Sequence, residues 1–126
     1  MLKPPRDDNK YNWTHHTWEK MQYYGIAEGR IKRIIRYPAR TEEGIAPNTV
    51  AVMSPAGTKQ YQEIWVMYKL ISKVKSQKSK IGKKNIENFR LPEKKIKVIT
   101  AWRYPGKSPE RDPIPSDVLS EIRGLL

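Results

Sequence analysis

Two adjacent histidines, His15 and His16, are the side chains of this chain best suited to proton transfer near neutral pH. His16 lies four residues before Lys20, so on a helix the two side chains share one face. Because a neighbouring ammonium disfavours the imidazolium, this histidine should lose its proton easily. A neutral imidazole beside a fixed cation is typical of general acid–base sites, and Tyr23 and Tyr24 follow one turn later.

Most other site chemistries are excluded by what the sequence lacks. It contains no cysteine and only two histidines, which is too few ligands for a typical zinc site. It also lacks a phosphate loop, a Gly-x-Gly-x-x-Gly motif and a Ser-His-Asp arrangement. The sequence therefore predicts no metal and no cofactor. Cleavage of RNA by its own 2′-hydroxyl fits these limits, because it needs only a base, an acid and cations for the developing phosphate charge.

The charge of the chain is strongly positive and unevenly placed. The chain carries 25 basic and 13 acidic side chains, a net charge of +12. Residues 69–97 carry 11 basic and 2 acidic side chains, so they hold a net +9 of that excess. Such a segment is either a solvated loop or an arm that follows phosphates and releases counterions. The predicted phosphate ligands in it are Lys73, Lys75, Lys78, Lys80, Lys83 and Lys84.

A second basic surface is predicted on a helix that ends before Pro38. Its apolar stripe has the spacing i, i+4, i+7 and i+8, formed by Ala27, Ile31, Ile34 and Ile35. Arg30, Arg33 and Arg36 fall on the other faces of this helix and are further candidate nucleic-acid contacts. No amphipathic helix offers an apolar face to lipid, so we predict no membrane partner.

Tryptophan and tyrosine far outnumber phenylalanine in this chain, with 4, 7 and 1 residues. Trp65 and Trp102 lie in the middle of two predicted strands. On an exposed sheet face they would stack on unpaired bases. The interpretation we favour for most of the aromatic residues is that they fill the core.

The order of elements predicts an α+β domain with two N-terminal helices packed on a small antiparallel sheet of three to four strands, plus a short C-terminal helix. The first helix covers residues 15–24, between Thr14 as N-cap and Gly25 as terminator. Strands are predicted over 49–54, 60–71 and 96–104, and Ser116 begins the last helix. Residues 1–12 are expected to form a flexible arm, and 13–126 a single domain with a lysine-rich insertion at 73–95. The absence of cysteine and of a long apolar run favours the cytoplasm.

The stretch Thr14-His15-His16-Thr17-Trp18-Glu19-Lys20-Met21-Gln22-Tyr23-Tyr24-Gly25-Ile26 resembles the start of a bacterial domain-of-unknown-function family. That family begins Thr/Ser-x-His-x-x-x-Arg/Lys-Met-x-x-x-Gly-Ile and is grouped with the RelE and BrnT toxins, in the wider fold that includes barnase and EndoU-type ribonucleases. Its last strand ends in threonine with a nearby tyrosine or arginine. Residues 99–104, Ile-Thr-Ala-Trp-Arg-Tyr, are similar.

The resemblance implies a toxin-like, metal-independent endoribonuclease whose partners are RNA and an acidic antitoxin. It implies proton transfer by His16, although His15 is adjacent and the motif position could be either. Lys20 and Arg103 would hold phosphate, and Tyr104 would donate a proton or stack. Thr100 matches the threonine of the last strand.

Two other functions remain open at this point. One is a nucleic-acid-binding module of the same fold without catalysis. The other is an interaction domain that uses its charge to bind an acidic protein. The oligomeric state is left undecided by the sequence.

Overall fold

The structure is a computed structural model and describes residues 2–44, 48–72, 94–110 and 114–122. The predicted α+β class is confirmed, and within these residues it comprises three helices and one five-stranded sheet. In chain order the elements are β1 Tyr11–Trp13, α1 His15–Tyr24, α2 Glu28–Arg36, β2 Arg40–Glu43, β3 Thr49–Pro55, β4 Gln62–Ser72, β5 Lys94–Pro105 and α3 Ser116–Ile122.

Helix α1 begins and ends where the sequence predicts. Thr14 is the N-cap, and its hydroxyl accepts a hydrogen bond from the Thr17 backbone N–H. Gly25 ends the helix with φ +68°, a left-handed conformation that glycine adopts without a steric cost. The two threonine hydroxyls also donate to the carbonyls of Ile99 and Val98. The start of α1 is therefore fixed to β5 by the same residues that cap it.

Helix α2 buries only part of the predicted apolar stripe, since Ile35 is partly buried and Ala27 is an exposed N-cap residue before the helix. Ile31 and Ile34 are fully buried, whereas Arg33 and Arg36 are exposed on the opposite side. The helix ends two residues before Pro38. Glu28 lies in its first turn and Arg36 in its last, which favours the helix dipole at both ends.

The sheet differs from the predicted one in size and direction. Its strand order is β1-β5-β4-β3-β2, and β1 runs parallel to β5 while the other pairs are antiparallel. The sequence prediction of three to four antiparallel strands missed the two edge strands. β1 has three residues and β2 has the sequence Arg-Thr-Glu-Glu, so neither shows an apolar alternation. Tyr11 is buried in β1, so the end of the predicted flexible arm belongs to the sheet.

Helices cover both faces of the sheet, so the domain has two apolar layers. One layer packs α1 and α2 against residues such as Val52 and Val66, and we call this the α1–α2 face. The other packs Val118 and Ile122 of α3 against the opposite side, the α3 face. Trp65 and Trp102 lie on the α3 face with no exposed surface. This pair therefore fills the core in the free protein, which is the interpretation that the sequence favoured.

Helix α1 continues along the edge of β5 beyond the point where β1 ends. β1 pairs only with residues 96–98 of β5. Past that point the Arg103 side chain donates to the Tyr24 carbonyl at 3.0 Å, and Tyr24 packs against both apolar layers. A β-bulge lies in this region, since Met67 is paired with Thr100 and the next residue, Tyr68, with Val98. The bulge leaves Ile99 as the extra residue of β5.

Candidate functional site

A cleft of about 400 Å³ lies between the first and last helices. Helix α1 contributes His16, Glu19, Lys20 and Tyr23, which recur at three- or four-residue intervals on one side of the helix. Helix α3 contributes Glu121 from the opposite wall. The cleft thus combines one imidazole, one ammonium, two carboxylates and one phenol.

Lys20 is held by an ion pair across this cleft. Its Nζ atom lies 2.8 Å from Oε1 of Glu121. Burial would lower the pKa of Lys20, but the hydrogen bond and charge of Glu121 outweigh it and raise that pKa. The Lys20 ammonium also lies 5.5 Å and 5.9 Å from the ring centres of Tyr23 and Tyr24. Lys20 is therefore a permanent cation, and Glu121 occupies the position in which it would bind another anion.

His16 is the histidine of the cleft. Its side chain is only 15% exposed, and its Nε2 atom lies 3.8 Å from Glu121, beyond hydrogen-bond distance. Burial, followed by the charge of Lys20, lowers the pKa of His16, while Glu121 and Glu19 oppose that shift. Its imidazole is therefore neutral at pH 7. His15 points outward, with 80% of its side chain exposed and Nε2 at 3.3 Å from Glu19.

The other three predicted catalytic residues are not among those that line the cleft. Thr100 is fully buried, and its hydroxyl has no hydrogen-bond partner among the described residues. Arg103 donates to the Tyr24 carbonyl and to Gln62, at the far end of α1 from His16. Tyr24 is the eighth residue after His16 on this helix, which corresponds to about 12 Å along the axis. The structure thus brings His16 and Lys20 together and leaves Arg103 at a distance.

Tyr104 is also separated from Arg103 by the sheet itself. The two are consecutive on β5, so their side chains point to opposite faces. Tyr104 packs into the layer beneath α3, whereas Arg103 lies opposite Ile64 of the α1–α2 face. Arg103 and Tyr104 therefore do not form a single phosphate pocket with His16.

The basic residues predicted to contact nucleic acid fall into three groups. Arg30 donates to the carbonyls of Pro55 and Ala56, so it joins α2 to the turn after β3. Arg33 and Arg36 are exposed on α2, beside Tyr37, which is 73% exposed. The remaining candidates lie outside the described residues, namely Lys73, Lys75, Lys78, Lys80, Lys83 and Lys84.

The sheet contributes a basic surface that the sequence analysis did not single out. Lys69 of β4 lies directly opposite Lys97 of β5, and Lys95 lies two residues before Lys97 on the same face. We call Lys69, Lys95 and Lys97 the lysine patch. All three side chains are partly exposed. Asn12 of β1 flanks Lys97 and Thr49 of β3 flanks Lys69 in the same cross-strand row.

The charges of this patch have little compensation. No ion pair of the described residues involves Lys69 or Lys97. Lys95 acts only at longer range, where its charge helps to lower the pKa of Asp8. Like charges directly opposite each other destabilise a sheet, so the pairing of Lys69 with Lys97 costs stability in the free protein. The available sequence signal was the pair Lys95 and Lys97, two residues apart on β5, together with Lys69 on the strand before the lysine-rich segment.

A buried carboxylate at the other end of the α3 face has a structural role. Glu63 has no exposed surface and accepts hydrogen bonds from Tyr61, Trp65 and Ser108. Arg40 lies 3.7 Å from it and also binds Ser108. This network ties the segment after β5 to the centre of the sheet, and every oxygen of the carboxylate has a partner.

Comparison of the chain with protein-family models, with curated proteins and with solved structures finds no significant match. No helix in the described ranges is both long and apolar enough to cross a membrane. The resemblance to the RelE and BrnT group therefore stays a prediction carried by residues 14–26 and 99–104.

Proposed function

We propose that this protein binds single-stranded RNA through the lysine patch. The observation that carries the proposal is the direct pairing of Lys69 with Lys97 on the α3 face, with no acidic partner in the described residues. Their Cα atoms are about 5 Å apart, and Lys95 is about 7 Å further along β5. Successive phosphates relieve the repulsion among these ammonium groups and release counterions on binding.

The sequence places further positive charge beside this patch. β4 and β5 are the strands before and after the lysine-rich segment in the sequence, and residues 69–97 carry a net charge of +9, of which the three patch lysines supply +3. The patch therefore lies on the two strands that flank the most basic segment of the sequence. A short acidic peptide would satisfy only part of this charge.

The neighbours of the patch favour nucleic acid over a membrane surface. Asn12 lies beside Lys97 and offers an amide that can donate to phosphate oxygens or base edges. A membrane would require an apolar face next to the charge, but the apolar stripe of α2 is buried at Ile31 and Ile34. These features support a polar, phosphate-bearing partner.

Binding can be tested by fluorescence anisotropy with a labelled 12-nucleotide RNA at several salt concentrations. We expect Lys69→Gln/Lys97→Gln to weaken binding at least fivefold. The slope of log affinity against log salt should fall by about 0.7 for each phosphate that is no longer neutralised by a lysine. The matched control is Lys59→Gln/Lys107→Gln, which removes the same charge from two exposed residues elsewhere. Equal losses in both double variants would contradict the proposal, as would equal affinity of the wild type for polyglutamate.

A second candidate function is metal-independent cleavage of RNA at the helix cleft. The observation that favours it is the neutral, largely buried His16 beside the cationic Lys20. His16 can accept the proton of a 2′-hydroxyl as that oxygen attacks the phosphate held by Lys20, and the leaving 5′-oxygen then takes a proton from water. Glu121 would have to leave Lys20 for the phosphate to enter. The test is RNA incubation in EDTA, in which His16→Ala should abolish 2′,3′-cyclic phosphate products and His15→Ala should not. Products that persist in both variants would exclude this chemistry.

A further inference from the structure

The layer beneath α3 contains two parallel tryptophans. Trp65 and Trp102 lie directly opposite each other on β4 and β5, with ring centres 5.9 Å apart and planes 5° apart. Val118 and Ile122 of α3 pack into the same layer, in which neither indole has any exposed surface. The two rings stack on each other, and the Arg40 guanidinium lies 5.0 Å from the centre of the Trp65 ring. Without α3, Trp102 is therefore the ring that would be left to stack on an unpaired base.

Polar groups in this layer are left without partners. Four buried polar side-chain atoms of the described residues make no hydrogen bond, namely Trp13 Nε1, His16 Nε2, Thr100 Oγ1 and Trp102 Nε1. Thr100 and Trp102 are on the sheet beneath α3, and His16 faces Glu121 of that helix. Buried polar groups usually have a hydrogen-bond partner. Three of these four exceptions lie where α3 meets the rest of the domain. A base edge or a phosphate oxygen has the atoms that would satisfy them.

Helix α3 is held by few contacts. It has seven residues, and a helix this short depends on packing for its stability. Its buried anchors are Val118 and Ile122, and its polar anchor is the ion pair between Glu121 and Lys20. Glu121 thus pairs with the cation that a phosphate would otherwise bind, while the apolar side of α3 packs in the layer that contains Trp102.

The lysine patch and the tryptophan pair are continuous on one face. Lys69 and Trp65 are four residues apart on β4, and both side chains point to the α3 face. The distance between them along the strand is about 13 Å. A single strand of RNA lying on the patch therefore reaches the edge of α3 within a few nucleotides.

We propose that Trp102 forms a stacking site for an unpaired base and that α3 occupies this site in the free protein. This inference rests on the proposed RNA binding. In the bound state, α3 leaves the sheet, phosphate replaces Glu121 at Lys20, and an unpaired base stacks on Trp102. The free energy needed to displace α3 lowers the affinity of the closed protein, so weakening the hold of α3 strengthens binding.

The test uses the full chain with Glu121→Gln, which removes the ion pair to Lys20. Its matched control is Glu43→Gln, which makes the same charge change at an exposed residue of β2, at the other edge of the sheet. With a labelled 12-nucleotide oligouridine, Glu121→Gln should bind at least threefold more tightly than the control. An abasic strand of the same length should show no such difference. Saturating oligouridine should also increase amide hydrogen exchange across residues 116–122 of the wild type.

The outcomes separate this inference from the proposed function. Equal affinities of Glu121→Gln and Glu43→Gln, or unchanged exchange of the α3 amides at saturation, would overturn the stacking site. If Lys69→Gln/Lys97→Gln still weakened binding in that case, RNA would bind the patch without moving α3. If no variant of the patch affected binding, the proposed function itself would fail. Circular dichroism melting of each variant verifies that the comparison is between folded proteins.

Discussion

The hydroxyl of Ser108 donates a 2.6 Å hydrogen bond to Oε1 of Glu63, which joins the segment after β5 to the buried centre of the sheet. The Trp65 indole N–H donates to the same oxygen at 2.9 Å. Burial would raise the pKa of Glu63, but these bonds and that from Tyr61 outweigh it and hold the pKa below its usual value. A carboxylate satisfied in this way stabilises the fold only while it is ionised.

Replacement of Glu63 with glutamine should destabilise the protein by about 1–3 kcal/mol at pH 7, because an amide cannot accept all of these bonds and leaves donors unsatisfied. The measurement is urea unfolding followed by circular dichroism. Because the folded pKa is lowered, wild-type stability should fall as the pH drops below 4.5, and the fall should be smaller in Glu63→Gln. Glu43→Gln is the control, and an equal effect at that exposed position would contradict the role assigned to Glu63.

His16 should make stability depend on pH in a higher range. Its pKa is lowered in the folded state, chiefly by burial and then by Lys20, so the unfolded chain binds the proton more readily. Stability should therefore decline as the pH falls through 6.5, and His16→Gln should remove part of that decline. The opposing charges at this site are those of Glu121 and Glu19. His15→Gln serves as control, and thermal melting between pH 5 and 8 provides the readout.

The two stacked indoles should respond differently to loss of the ring N–H. Trp65 Nε1 donates to Glu63, whereas Trp102 Nε1 has no partner among the described residues. Both rings are fully buried, so substitution by phenylalanine removes similar apolar volume in each. Trp65→Phe should therefore cost about 1–3 kcal/mol more than Trp102→Phe in urea unfolding. Equal costs would mean that the Glu63 bond contributes nothing to stability.

The cap of α1 offers a test of how the first helix is held. The Thr14 hydroxyl accepts from the Thr17 N–H and donates to the Ile99 carbonyl. Thr14→Ala should destabilise the domain by about 1–2 kcal/mol, because it removes both hydrogen bonds. Thr14→Ser keeps the hydroxyl and should recover most of that stability. If serine were as destabilising as alanine in chemical unfolding, the methyl group rather than the hydroxyl would be the important part of Thr14.

Local signals in the sequence predicted the elements that stabilise themselves locally. Thr14 and Gly25 mark the ends of α1, and the isoleucine spacing marks α2, because capping and helical periodicity involve residues close in the chain. The edge strands β1 and β2 were missed because neither has an apolar alternation of its own and each depends on pairing with another strand. Tyr11 and Arg40 belong to strands only because they pair with Ile96 and Met53 in the folded sheet.

The cleft and the lysine patch differ in how far the sequence predicts them. His16 and Lys20 share a cleft because they share a helix face, as their spacing indicates. Glu121 was not predicted as their partner, since one hundred residues separate it from Lys20 and only the packing of α3 brings the two together. The pairing of Lys69 with Lys97 likewise depends on strand register, which composition does not reveal.

The short strand β2 has a consequence for how copies of this chain meet each other. It lies at the outer end of the sheet with the sequence Arg-Thr-Glu-Glu, and Glu43 on it is exposed. An unpaired strand is a template for intermolecular pairing, and charged residues on a strand of four residues oppose that reaction. At the opposite end, α1 shields the later part of β5. Both features oppose edge-to-edge pairing between copies of this chain.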